Sequence, residues 1–278
     1  MRLAFQPPED WAYALSGGAW VSDIRLHNRI PRQRTRIRWE AGLTTASKLV
    51  ITATRAAAFT PRAGAMLSLV GVPVGTKVEI TGIAAAGGGA IDLGGNSKSQ
   101  RAGYLPDGST GIVWDFAAGL AAAVGYSLAI FNDANGAAAF AADALLEVGE
   151  VVVAPAVTLP HEIGWGQGRV DPSKVDRTAG GSISRVRRPN WRKMTIRPIF
   201  GDQDQARGIA LENGLSYERL LCILADDPFV LVIEEPDLGA ALIQSSALFG
   251  IVTKLPDINS VSGPYFQFQE FEFEGVPN

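Results

Sequence analysis

The closing stretch Tyr265–Glu274 reads Y-F-Q-F-Q-E-F-E-F-E, with apolar and polar residues alternating almost without a break. That is the period of a half-buried strand. Phe266 and Phe268 share one parity. Phe271 and Phe273 share the other, because the phase slips by one residue at Gln269-Glu270. A slip of one residue inverts the buried face unless a β-bulge absorbs it. The pattern predicts one long bulged strand carrying four phenylalanines into a core, with Gln267, Glu272 and Glu274 on an acidic outer face. So apolar a strand has to be paired inside a sheet, in its own chain or across a subunit boundary.

The rest of the chain suits many strands. Of 278 residues, 31 are glycine and 16 proline, 47% are hydrophobic and 19% charged. This is globular rather than disordered composition, with turn formers enough to join short strands. A chain this long buries about three quarters of its unfolded surface and needs no disulfide staple. It has one cysteine, Cys222, in an apolar run. That points to a reducing compartment and to a small core residue. The first ten residues lack the apolar core of a signal peptide. No apolar run approaches the ~20 residues of a membrane-spanning helix, so membrane insertion is not expected.

Six arginines fall within residues 25–38, and Arg32, Arg34, Arg36 and Arg38 alternate with Gln33, Thr35, Ile37 and Trp39 at strand period. Strands are also predicted over 48–54, 66–70, 77–81, 111–116, 126–132 and 145–153, the last bent at Gly149. Turns are expected at Val72-Pro73-Val74-Gly75 and at Asn132-Asp133-Ala134-Asn135-Gly136. Residues 1–35 read as an irregular entry, and 84–109 as loop. About eight short strands without a long helix mark an antiparallel sandwich. Beyond 154–168 the character changes. A basic strand region covers 182–199. Helical spacing covers 203–225, interrupted at Gly214 and capped anew by Ser216. Strands follow at 229–233 and 247–255. The expected architecture is mainly β: a β-sandwich over 1–157, then a smaller α+β domain over 158–278.

Catalytic chemistry finds little footing. His27 and His161 are the only histidines, so there is no HExxH pair and no Cys/His metal cluster. No Gly-x-Ser-x-Gly elbow is present. Gly164-Trp165-Gly166-Gln167-Gly168 lacks the helix and lysine of a phosphate loop. Asp226-Asp227 and Glu234-Glu235 read as solvated strand and turn ends. The arginines at 34, 36 and 38 face away from Trp39, whereas a nucleic-acid platform wants cations and aromatics on one face. No enzyme activity, cofactor, metal or nucleic-acid partner is expected. Trp11, Trp20 and Trp165 are the candidate glycan contacts of a sandwich.

Ser16-Gly17-Gly18-Ala19-Trp20, then Leu26-His27-Asn28 and Ile37-Arg38, resemble the start of discoidin-like (galactose-binding-like) sandwich domains in tail proteins of tailed bacteriophages. Gly164-Trp165, Val170-Asp171-Pro172-Ser173, Ala179-Gly180-Gly181 and Arg187-Arg188-Pro189 continue the likeness. After a helix, Phe249-Gly250-Ile251-Val252 and Leu255-Pro256 complete it. The order is similar to that of distal-tail and tail-tip structural subunits. The resemblance implies a virion protein that forms a ring with copies of itself around the tail tube and touches other tail proteins. A carbohydrate-binding module for host-surface glycan is the alternative. Arg185, Arg187, Arg188, Arg192 and Lys193 are the candidate interface. From Phe200 onward thirteen acids face only Arg207, Arg219 and Lys254, so a basic patch meeting an acidic one head to tail is expected.

Overall fold

The structure, a computed structural model, describes residues 1–5, 10–40, 42–85, 88–93, 99–159, 166–177, 183–186, 191–198, 215–234, 243–244, 246–262 and 265–276. The fold is mainly β. In chain order the strands are β1 (Arg2–Ala4), β2 (Ala12–Ser16), β3 (Gly18–Trp20), β4 (Thr35–Trp39), β5 (Lys48–Phe59), β6 (Ala63–Leu69), β7 (Thr76–Ala84) and β8 (Ala90–Ile91). Then come β9 (Ser99–Arg101), β10 (Gly103–Tyr104), β11 (Thr110–Asp115), β12 (Ala123–Ala134), β13 (Leu145–Val148), β14 (Glu150–Ala154) and β15 (Ala156–Thr158). After these stand β16 (Gly166–Val170), β17 (Lys174–Arg177), β18 (Ile183–Val186) and β19 (Trp191–Ile196), then helix α1 (Tyr217–Asp226). The chain closes with β20 (Phe229–Ile233), β21 (Leu248–Lys254), β22 (Ile258–Ser262), β23 (Tyr265–Phe268) and β24 (Phe271–Gly275). Two compact units result. One comprises Met1–Thr158 with Val230–Ala247, the other Leu159–Phe229 with Leu248–Pro277.

The first unit is sandwich-like. One sheet runs β2-β5-β12-β7-β8, with β9 also on β7; others run β10-β11-β6-β14 and β13-β4-β3. Their inward residues make one core. Leu49, Ile51, Val78, Ile80, Leu128 and Ile130 come from the first sheet, and Met66, Ile112, Trp114, Val151 and Val153 from the second. Ile37, Trp39, Leu146 and Val148 come from the third. Alternation is visible in β4, where Thr35, Ile37 and Trp39 are buried while Arg36 and Arg38 are exposed. Ala134-Asn135-Gly136-Ala137 closes tightly, with φ of 55° at Asn135 and 88° at Gly136. Two successive positive φ values are what a two-residue hairpin turn requires, and Asn-Gly supplies them at low cost.

Gly149 does more than bend one strand. Before it β13 pairs with β4; after it β14 pairs with β6. The chain changes sheet there, as strands do at sandwich corners. A side chain at 149 would collide with the carbonyl oxygen of Pro31.

Residues 1–35 are not an irregular entry: they contain β1, β2 and β3. β2 escaped the period test because its outward residues Ala12 and Ala14 are small and count as apolar. β1 has no local partner; it lies between β15 and β20, which only the folded chain brings together. Arg2 of β1 is buried against Asp115, which Arg62 also approaches at 3.5 Å. The expected loop over 84–109 likewise holds the short strands β8, β9 and β10.

In the second unit, four strands run in the order β21-β24-β19-β16. The closing stretch is two strands, not one bulged strand. β23 pairs with β22, whereas β24 pairs with β19 and β21. The phase slip at Gln269-Glu270 marks a change of partners. Phe271 and Phe273 are fully buried, as their parity required; the side chains of Phe266 and Phe268 lie outside the described residues.

The predicted cap at Ser216 is present, and its hydroxyl accepts from the Arg219 N–H at 3.2 Å. Residues 199–214, with the first part of the expected helix, lie outside the described residues. Tyr217, Leu220 and Leu224 form the buried face of α1. Cys222 lies on the opposite side and is exposed, so it is not a core residue: one apolar run on a helix points both inward and outward. Ser216→Ala should cost about 1 kcal/mol, the usual loss for an N-cap hydroxyl. A shift in urea midpoint without a change in slope checks it.

Candidate functional site

The candidate interface residues are divided by the fold. Arg187 and Arg188 lie outside the described residues, and so does the side chain of Arg185 on β18. Arg192 and Lys193 are neighbours on β19, so they project to opposite faces. On the Lys193 face the acids of β24 answer the bases of β19. Lys193 Nζ lies 2.6 Å from Glu272 Oε2. The Trp191 indole N–H donates to Glu274 at 3.0 Å, and Arg197 meets Glu270 at 2.8 Å. The hydrogen bond from Lys193 lowers the pKa of Glu272 and raises that of Lys193. Part of the basic segment thus meets the acidic strand within its own unit. The sequence showed both charges but not that β19 and β24 are neighbours.

This unit also holds two hairpins, β17–β18 and β22–β23, neither of which pairs with a third strand among the described residues. Among the described residues β16 ends the strand order of the sheet that holds β21, β24 and β19.

Of the tryptophans, Trp165 lies outside the described residues, as does His161. Trp20 is half-buried and packs on the sandwich core. Trp11 is part of a polar cluster that the sequence reading missed. Its ring stacks on His27, with centroids 4.3 Å apart and planes within 4°. Register explains the cluster. One cross-strand row reads Tyr13–Ala53–Tyr126, and the small central alanine leaves room between two tyrosines. His27 bridges them, with Nδ1 2.6 Å from the Tyr13 hydroxyl and Nε2 2.7 Å from that of Tyr126. A neutral imidazole donates from one nitrogen and accepts at the other, so one tyrosine donates and one accepts.

Burial, helped by the nearby Arg55 charge, lowers the His27 pKa to about 3. Burial raises both tyrosines, with the Glu150 charge adding to the effect. Glu150 is itself buried, accepts the Arg29 backbone N–H at 2.7 Å, and is pushed well above the ordinary carboxylate range by desolvation. Every polar group of His27 is spent on the tyrosines, so the cluster ties β2 and β12 to the loop before β4.

The arginine run builds a second feature. Arg25, Arg32, Arg34 and Arg36 line a pocket of about 220 Å³ together with Asp23, Gln33 and Glu147. Cross-strand pairing sets Glu147 opposite Arg36; its carboxylate accepts from Arg36 Nε at 2.8 Å and lies 3.9 Å from Arg34. Arg34 Nε also donates to the Ser68 hydroxyl at 3.1 Å. Arg25 donates to Gln33 at 2.8 Å and lies 3.4 Å from Asp23. The run was legible in sequence, but the pocket depends on Glu147, more than a hundred residues away.

Among the described residues no group of three or more His, Cys, Asp or Glu side chains is arranged to hold a metal, and no helix is long and apolar enough to cross a membrane. No family model matches the chain, and no curated protein matches it in sequence.

Proposed function

We propose that this chain is a structural subunit of a bacteriophage tail tip, distal-tail-like, which assembles with copies of itself and with other tail proteins in the virion. The observation that supports this reading is the pair of hairpins in the second unit. An isolated two-stranded hairpin is marginal at best in water and needs a third strand or a packing surface. β22–β23 carries Ile258, Val261, Phe266 and Phe268 within eleven residues of sequence, and so apolar a hairpin gains most from a further packing surface. A subunit that packs such hairpins on its neighbour gains stability on assembly. The sequence likeness to distal-tail subunits supplies the setting. The sandwich of the first unit serves as a separate module, and Trp11, held against His27, serves that module rather than a sugar.

Native mass spectrometry and negative-stain microscopy of the purified chain should show a closed ring. Arg187→Glu with Arg188→Glu should impair assembly while leaving circular dichroism and melting of the monomer unchanged. A chain that stays monomeric at every concentration and salt tested, alone and with tail-tube protein, overturns the reading. A double variant that assembles normally removes the basic segment from it.

A further inference from the structure

The arginine pocket on the first unit has no part in the assembly reading. Its lining carries four guanidiniums and two carboxylates, Asp23 and Glu147, which leaves two positive charges. The carboxylates do not serve all four arginines. Glu147 serves Arg34 and Arg36, and Asp23 touches Arg25. Arg32 makes no ion pair among the described residues. Three of the forks are already oriented: Arg25 by Gln33, Arg34 by the Ser68 hydroxyl, Arg36 by Glu147. Oriented guanidiniums around a concavity match the planar, bidentate contacts that phosphate-type oxyanions accept. At about 220 Å³ the pocket falls below the roughly 300–1,000 Å³ of sites for drug-sized ligands. It suits a small charged group rather than a whole sugar ring or a base.

We propose that this pocket binds a phosphate dianion, either free or as a terminal monoester. Charge decides between phosphate and carboxylate. The pocket's excess of two is neutralised by one phosphate dianion but only half neutralised by one carboxylate. Arg32 takes the anion directly, and Arg25, Arg34 and Arg36 complete the shell. Glu147 holds two of those arginines while repelling the ligand, so it limits affinity as it shapes the site.

The test is calorimetric and NMR titration of the full chain at low ionic strength, with inorganic phosphate, a hexose 6-phosphate and glucuronate as probes. Saturable millimolar or tighter binding of phosphate is expected. It should weaken as pH falls through the second ionisation of the ligand, about 6 for a monoester, and with added salt. Arg32→Gln, at an exposed position, should leave melting unchanged and weaken binding at least about tenfold, the loss of one charge-assisted contact. Glu147→Gln should tighten it. Tighter binding of the hexose phosphate than of phosphate marks a monoester as the occupant; the reverse marks the free ion. Glucuronate binding as tightly as phosphate, or an Arg32→Gln protein that binds phosphate like the parent, overturns the proposal. So does the absence of saturation.

Discussion

Phe273→Ala is expected to destabilise the second unit by about 3–5 kcal/mol, the usual range for deleting a buried aromatic ring. Phe273 is fully buried and stacks on Phe271 with centroids 5.7 Å apart. Its register places it between Met194 on β19 and Val252 on β21. β24 is thus flanked on both sides, so the sheet cannot close the void by letting an edge strand move. Phe271→Ala, opposite Ile196, should cost about as much. Glu272→Ala, on the charged face of the same strand, should shift the urea midpoint far less, because solvent screens exposed ion pairs. Because two units can unfold separately, residue-resolved amide NMR signals of β19 and β24 report better than a global signal. A urea series in which Phe273→Ala and Glu272→Ala shift the midpoint equally would refute this assignment of faces.

The second large effect is in pH. His27 is held neutral, its pKa lowered to about 3 from an unfolded value near 6.5. Between those values the unfolded chain binds a proton that the native one refuses. The contribution is therefore complete above pH ~6.5 and is lost as pH falls toward 3, on the order of 5 kcal/mol in all. Glu150 acts with the opposite sign. Its native pKa is raised, so its neutral form favours the fold at low pH and that advantage is lost as pH rises above about 4.3. Above pH ~4.5, for as long as native Glu150 keeps its proton, the two slopes oppose each other.

Glu150→Gln keeps an acceptor for the Arg29 N–H and removes the titration. The variant should gain stability relative to the parent as pH rises above ~4.5, and its own stability should fall from pH ~6.5 downward with the unmasked slope of His27. Chemical unfolding across that range tests the sign. Imidazole NMR tests the group itself, with His161→Asn to assign the two histidines. His27 should remain neutral at pH 5; a midpoint near 6.5 would remove its burial from the account.

The sequence by itself determined what is local. Period-two alternation located β4 and the closing phenylalanine stretch, because a half-buried strand must alternate whatever its partner, and a β-branched run located β5. Asn135-Gly136 specified a tight turn because few residue pairs tolerate two positive φ values. Ser216 marked the start of a helix because its hydroxyl satisfies an otherwise unpaired N–H. The parity of Phe271 and Phe273 was enough to bury both. Tertiary structure alone decided the partners. A phase slip at Gln269-Glu270 has the same local pattern whether a bulge or a change of sheet follows, and β22, β19 and β21 settled it. β1 became a strand because β15 and β20, distant in sequence, flank it. Cys222 faces outward because one apolar run covers both sides of a helix and only Tyr217, Leu220 and Leu224 meet a core. His27 is neutral because Ala53 stands between Tyr13 and Tyr126 in a row made by three strands. The arginine run became a pocket because β13 sets Glu147 beside it. Alternation, turns and caps act over a few residues and can be read along the chain. Pairing, burial and electric field arise between residues tens to hundreds of positions apart, and they exist only once the sheets have formed.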